Sequence, residues 1–339
     1  MQKRAMWLGL AVLAAVGCSN APPAPFAEPP AARPVAEAPA APGTSVPLPP
    51  PVALDPAAIE AATGGKPEAA DGVLKVSFPR SDVKVEVDGW AMPPFMGLTS
   101  WAAFTPGQKP GIEAMVMGDL VLFEDEVSDA MSAALDAGLE VTALHNHFFY
   151  DRPKVYFMHI GGEGKVEALG KGVRATLDAT RALRKKTPQP RDRFEGPAIP
   201  AKSAIDPAKV EAALGVKGAA KDGMVKVVIG RPATVADCGC KVGKAMGVNT
   251  WAAFAGTDDN AVVDGDFAVT QDELQPVLKA LRAGKIHVVA IHHHMVGEEP
   301  RILFFHYWGR GPVAELGKVL KGALALTKTE PTAASAANR

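Results

Sequence analysis

Residues 143–159 read ALHNHFFYDRPKVYFMH, and residues 290–306 read AIHHHMVGEEPRILFFH. His145, His147 and His159 in the first stretch correspond to His292, His294 and His306 in the second, each 147 positions later, and Pro153 maps onto Pro300 at the same offset. Six of the eight histidines therefore belong to one pattern written twice. Histidine ligates metals, carries protons and titrates near neutral pH, so these two segments are where function is sought first.

The duplication extends outward from the histidines. Ser100-Trp101-Ala102-Ala103-Phe104 recurs as Thr250-Trp251-Ala252-Ala253-Phe254, and Gly118-Asp119 recurs as Gly265-Asp266. The openings match as well: Asp55-Pro56 and Asp206-Pro207 each supply a helix N-cap and a first-turn proline ahead of good helix formers. The chain is read as a duplicated α+β domain, with repeat 1 at 54–183, a Pro-rich linker at 184–205 and repeat 2 at 206–328. Each repeat is expected to hold a mixed or antiparallel sheet, flanking helices and a histidine-bearing β-hairpin, the two being related by a pseudo-two-fold axis. In repeat 1 the strands are expected at 73–78, 83–87, 101–104 and 114–117, followed by a helix over 124–137; repeat 2 follows suit, with a helix over 270–283.

The hairpin expectation locates a site. In an antiparallel pair the facing residue numbers have a constant sum, and a tight turn at Asp151-Arg152-Pro153 places His147 opposite His159. Period-2 alternation then puts His145 on the same face, and repeat 2 brings His292, His294 and His306 together in the same way, with His293 pointing away. Three imidazoles on a sheet suit Zn²⁺, Cu²⁺, Ni²⁺ or Fe²⁺, with a fourth position for water or an acid. Asp119 and Asp266 are candidate acidic ligands, and Asp151 and Glu298, at the turns, are candidate general bases. The alternative is that the histidines are satisfied by hydrogen bonds within a polar cleft.

Ahead of the repeats, Lys3 and Arg4 precede an apolar run from Ala5 to Val16, too short to span a bilayer. Residues 1–18 read as a signal peptide. Ala15-Val16-Gly17-Cys18 resembles a bacterial lipobox, with Ala15 where leucine is usual, which implies diacylation of Cys18 and a membrane anchor. Plain secretion is the alternative, and both place the mature chain outside the cytoplasm. Residues 19–53, rich in Pro and Ala, read as an extended tether reaching on the order of 100 Å, and 329–339 as a disordered tail. Loss of Lys3 and Arg4 takes the formal charge from −1 to about −3, with no block of like charge, so nucleic acid is not expected as a partner.

Cys238 and Cys240 occur in repeat 2 alone, and three readings stay open: a disulfide across one residue, a soft-metal site with Met246 or Met295 that would select copper, or two small buried residues. Trp101/Phe104 and Trp251/Phe254 are expected in the core, with a ligand-stacking wall as the alternative.

From about Leu54 to Thr327 the chain resembles the LppY/LpqO lipoprotein family, a bacterial family defined as a domain of unknown function. The matching stretches are residues 117–122, 143–147, 252–256, 265–267, 290–292, 294–295 and 306–309. The resemblance implies an exported lipoprotein and supplies no activity. Three function classes follow from the residues themselves: a protein that stores, senses or delivers a metal or binds a ligand through it, a metal-dependent hydrolase whose ion activates water, and a protein-interaction module without metal. No nucleophile elbow, phosphate loop or dinucleotide fingerprint occurs. Repeat 1 is expected to prefer zinc, and repeat 2, with the cysteine pair and Met295 nearby, to accept copper.

Overall fold

The computed structural model describes residues 53–236 and 238–328; Cys18, the signal, the tether up to residue 52 and the tail from residue 329 lie outside them. Repeat 1 comprises α1 (Pro56–Thr63), β1 (Pro67–Ala70), β2 (Val73–Pro79), β3 (Glu86–Val87), β4 (Trp90–Ala91), β5 (Thr99–Pro106), β6 (Ala114–Phe123), α2 (Val127–Asp136), β7 (Glu140–His145), β8 (Asp151–Arg152), β9 (Val155–Gly164) and α3 (Val166–Lys186). Repeat 2 follows with α4 (Pro207–Leu214), β10 (Ala219–Lys221), β11 (Met224–Gly230), β12 (Ala233–Val235), β13 (Cys240–Val242), β14 (Asn249–Thr257), β15 (Asn260–Thr270), α5 (Gln271–Ala283), β16 (His287–His292), β17 (Glu298–Glu299), β18 (Ile302–Gly311) and α6 (Val313–Leu324). The fold is α+β, and the element order of the first half recurs in the second.

Helices α1 and α4 open as their sequences dictate. Asp55 and Asp206 each accept a hydrogen bond from the backbone N–H two residues on, at 2.9 Å, and a left-handed glycine, Gly64 or Gly215, ends each helix. Helix α2 starts three residues later than the sequence predicts, because the Glu126 carboxylate turns back to accept from Phe123 N–H at 2.9 Å and is gripped by Arg80 at 2.5 and 2.6 Å. Arg231 and Glu273 form the corresponding pair in repeat 2, where Glu273 also completes a capping box with Thr270.

Twelve strands join in a single sheet, ordered β1-β2-β5-β6-β9-β7-β16-β18-β15-β14-β11-β10. The order within repeat 2 is that of repeat 1 reversed, and the two meet at an antiparallel bridge between Leu144 of β7 and Ile291 of β16. Gln275 of α5 reinforces the seam by bonding both the N–H and the C=O of Val141. The repeats thus share one sheet, and one continuous apolar core carries residues of both, from Ile59 and Leu120 to Phe267 and Leu320. Alternation along β6 sorts the two faces: Val116, Leu120 and Leu122 point to the helices, while Val121 and Phe123 point the other way. On that second face a small sheet of β4, β3 and β8 covers Val121, Phe123, Val155 and Phe157, and one of β13, β12 and β17 covers Ala268, Ile302 and Phe304.

Several expectations need correction. Of the strand expected at 83–87, Glu86–Val87 alone pairs, although Val83 and Val85 are buried beneath the small sheet. Helix α3 runs to Lys186, and Arg184, assigned to the linker, is buried against Asp125 and Glu126. Strands β7 and β9 pair, but no tight turn at Pro153 joins them. The chain between His145 and Val155 instead detours so that Asp151 and Arg152 pair with Val87 and Glu86. That detour shifts the register: Ala143, not His147, lies opposite His159, and Ala290 lies opposite His306.

Candidate metal centre

The register error was an even number of residues, so the face survived it. His159 follows Phe157 by two positions on β9, and His145 lies opposite Phe157, which puts both imidazoles on the face away from the helices. Their rings stack at 5.1 Å. His147, past the end of β7, folds back over the sheet, stacked 3.3 Å above Phe157, and its Nε2 lies 3.2 Å from Nε2 of His145. Asp119 completes the group: it faces His159 across the β6–β9 ladder, Oδ1 at 3.9 Å from Nε2. Repeat 2 builds the same constellation on Phe304. His294 stacks on Phe304 at 3.5 Å, His292 stacks on His306 at 4.7 Å, and the Nε2 atoms of His292 and His294 are 3.2 Å apart. Asp266 lies opposite His306, with Oδ2 at 3.6 Å from His294 Nε2.

The glycine before each aspartate has a steric role on the opposite face. A Cβ at Gly265 would fall 2.2 Å from the Tyr307 ring and 2.4 Å from the Trp251 carbonyl, and one at Gly118 would fall 2.8 Å from the Trp101 carbonyl. Gly-Asp is thus a two-sided device, in which the glycine admits a bulky neighbour on the helix side while the acid faces the histidines.

Ligand atoms of Asp266, His292 and His294 all lie within 4.8 Å of one another, two of the separations being 3.2 and 3.6 Å. Donors about 2.0–2.2 Å from a tetrahedral ion are separated by roughly 3.3–3.6 Å, so this spacing fits a first-row ion. The donors also have capacity to spare. Among the described residues, Asp119 Oδ1, Asp266 Oδ1 and His292 Nδ1 are buried without a hydrogen-bond partner. Nδ1 of His294 is 3.2 Å from the Gly247 carbonyl, and a proton held there leaves the Nε2 lone pair free for an ion.

Burial is the largest influence on the imidazoles and lowers the pKa of His145, His147, His292 and His294; neighbouring imidazoles add to it, and His292 is brought down to about 4. Asp119 opposes the shift in the first group, and the Gly247 carbonyl opposes it at His294. These rings are neutral at pH 7, the state a ligand requires. Burial raises Asp266 to about 6, against the pull of His306, which leaves it mostly ionised at neutral pH.

Asp151 and Glu298 do other work. Asp151 Oδ2 accepts from Val155 N–H at 2.6 Å, and Glu298 Oε1 accepts from Ile302 N–H at 2.9 Å, so each buried carboxylate closes its own loop. Cys238 and Cys240 are bonded to each other in a disulfide and are exposed, which overturns the buried reading. Phe104 and Phe254 are core residues, but Trp101 and Trp251 are half-buried on the histidine face beside Asp119 and Asp266. Each carries a lysine over its ring, Lys75 at 4.5 Å and Lys226 at 4.0 Å. Sequence reasoning missed the stacking floor of Phe157 and Phe304, although these residues share the 147-residue offset of the histidines.

A family model described as "Domain of Unknown Function (DUF1259)" matches residues 57–179 and again residues 208–326. No curated protein matches the chain. Among solved structures, a double-ringed trimeric shell protein from the RMM microcompartment aligns at 9% identity, covering 63% of this chain and 82% of its own, with a TM-score of 0.17. The trimeric microcompartment shell protein PduB aligns at 12% identity, covering 77% and 89%, with a TM-score of 0.19. At such scores neither likeness carries fold or function to this chain.

Proposed function

The chain belongs to the DUF1259 family, whose description names no activity, and from its site we propose a transition-metal-binding protein of the cell envelope that stores, senses or delivers its ion. The observation that supports this most directly is the convergence of Asp266, His292 and His294, with neutral imidazoles and a buried, unpartnered carboxylate oxygen. His306, and in repeat 1 His145, His147, His159 and Asp119, complete two sites of one design, related in this reading by a pseudo-two-fold axis at the Leu144–Ile291 seam. Imidazole and carboxylate donors favour Zn²⁺ or Cu²⁺. With both sulfurs engaged in the disulfide, the cysteine pair offers no thiolate to repeat 2, and the expected preference of that site for copper then rests on Met295, which packs beside Phe304. The hydrolase reading is weaker, because its candidate bases, Asp151 and Glu298, are held by backbone N–H groups. The resemblance to the LppY/LpqO lipoproteins and the lipobox-like run ending at Cys18 support export and anchoring.

The test is metal analysis of untagged protein. Wild type is expected to hold two ions per chain. His145→Ala/His147→Ala and His292→Ala/His294→Ala should each hold one, and both should lose affinity in acid as imidazole takes up protons. Wild-type stoichiometry in both double variants would refute the ligand assignment.

A further inference from the structure

The two repeats differ most sharply in what surrounds their histidine groups. Around the first stand Phe95 (97% exposed), Phe149 (79%), Tyr150 (78%) and Trp90 (54%). Their counterparts in repeat 2 are Ala245, Val296, Gly297 and Cys240. The four aromatics occupy one lobe. Trp90 and Asp151 both pair with Val87 in the small sheet, Tyr150 precedes Asp151 and accepts from Asp88 N–H, and the Phe148 ring lies against Gly97 at the end of the turn that carries Phe95 and Met96.

Tyr150 sits at φ 61, in the left-handed region, and its counterpart Gly297 has φ 78. Glycine adopts that conformation without strain; a tyrosine there is strained and has its ring in water. A strained, exposed aromatic is not accounted for by packing, and its three aromatic neighbours are equally unneeded by the core.

From this asymmetry in aromatic residues we infer that the lobe formed by Trp90, Phe95, Phe149 and Tyr150 inserts into a lipid bilayer surface, with Met96, whose counterpart Met246 is also exposed, beside them. Phe95 follows the rigid Pro93-Pro94 pair, Trp90 closes the β3–β4 hairpin and Phe149-Tyr150 lead into β8, so the exposed apolar side chains are carried by short turns. Tryptophan and tyrosine with phenylalanine and methionine suit the boundary between headgroups and acyl chains. Upstream of the described residues, the chain carries an apolar run, Cys18 and a Pro/Ala stretch long enough to let a tethered domain lie down on a membrane. The inference adds a second membrane contact to the proposed anchor and is independent of the metal reading.

The test removes the anchor so that the two can fail separately. Protein beginning at residue 19, without the apolar run and Cys18, is floated with phosphatidylcholine vesicles, alone and with Phe95→Ser/Phe149→Ser or Tyr150→Gly added. Because Phe95 and Phe149 are exposed, the double variant should keep its melting temperature while its partition falls at least about tenfold. Tyr150→Gly should melt at the same temperature or higher and partition more weakly. Equal partition of the double variant and its parent would overturn the inference. So would a concentration-dependent self-association, abolished by the same substitutions, in protein that does not float.

Discussion

His287 shows how one residue type splits into different roles according to what surrounds it. It lies outside the repeated pattern, at the start of β16, where Nδ1 is 2.6 Å from Ser128 Oγ of α2 and the ring packs on Phe194. Burial, assisted by Arg282, lowers its pKa from 6.5 to about 4. The unfolded chain therefore takes up the proton first as pH falls. The stability that comes from keeping this ring neutral is fully present above about pH 6.5 and is lost progressively toward pH 4. Urea midpoints in chelator between pH 4 and 7.5 should fall with acid in the wild type and fall less in His287→Gln. Parallel curves for the two proteins would show that His287 is not a source of the loss. The comparison must be a difference between proteins, since His292 titrates in the same range.

At the level of the elements, pairs of strands are positioned by what lies between them. Gly265 and Gly118 are the points where β15 and β6 pass beneath Tyr307 and Ile160, and the hydroxyl of Tyr307 reaches the Trp251 carbonyl at 2.9 Å. Gly265→Ala should cost about 1–3 kcal/mol by overpacking, more than Gly118→Ala, whose nearest side-chain neighbour is a flexible isoleucine rather than a ring. Thermal melts of the two variants decide the order. Because Asp266 adjoins the altered residue, Gly265→Ala should also weaken metal binding in repeat 2 and leave repeat 1 occupied.

For the molecule as a whole, the continuous sheet and shared core predict one unfolding event. Calorimetry of the full chain should give a single transition whose van't Hoff and calorimetric enthalpies agree. Two separable transitions would mean that the Leu144–Ile291 bridge and the Gln275 bonds do not couple the repeats. No helix among the described residues is long and apolar enough to cross a membrane.

Local sequence determined the parts of this protein that depend on local physics. Asp55-Pro56 and Asp206-Pro207 announce helix starts because a cap and a fixed φ act within one turn. The 147-residue offset exposed the duplication and the six histidines, and period-2 alternation put His145 with His159 and His292 with His306 on one face even with the register wrong, since an even slip preserves facing. What lay beyond it were distances between segments remote in the chain. The detour of residues 146–154 to β3, the fusion of two repeats through β7 and β16, and the return of Glu126 to Arg80 are settled by what each segment meets when the sheet assembles. The positions of Trp101 and Trp251 belong with these: both lie in strands that read as core, and the face they occupy is open because the small sheets cover β6–β9 at Val121 and Phe123 and β15–β18 at Ala268 and stop before Asp119 and Asp266, the residues opposite the two tryptophans.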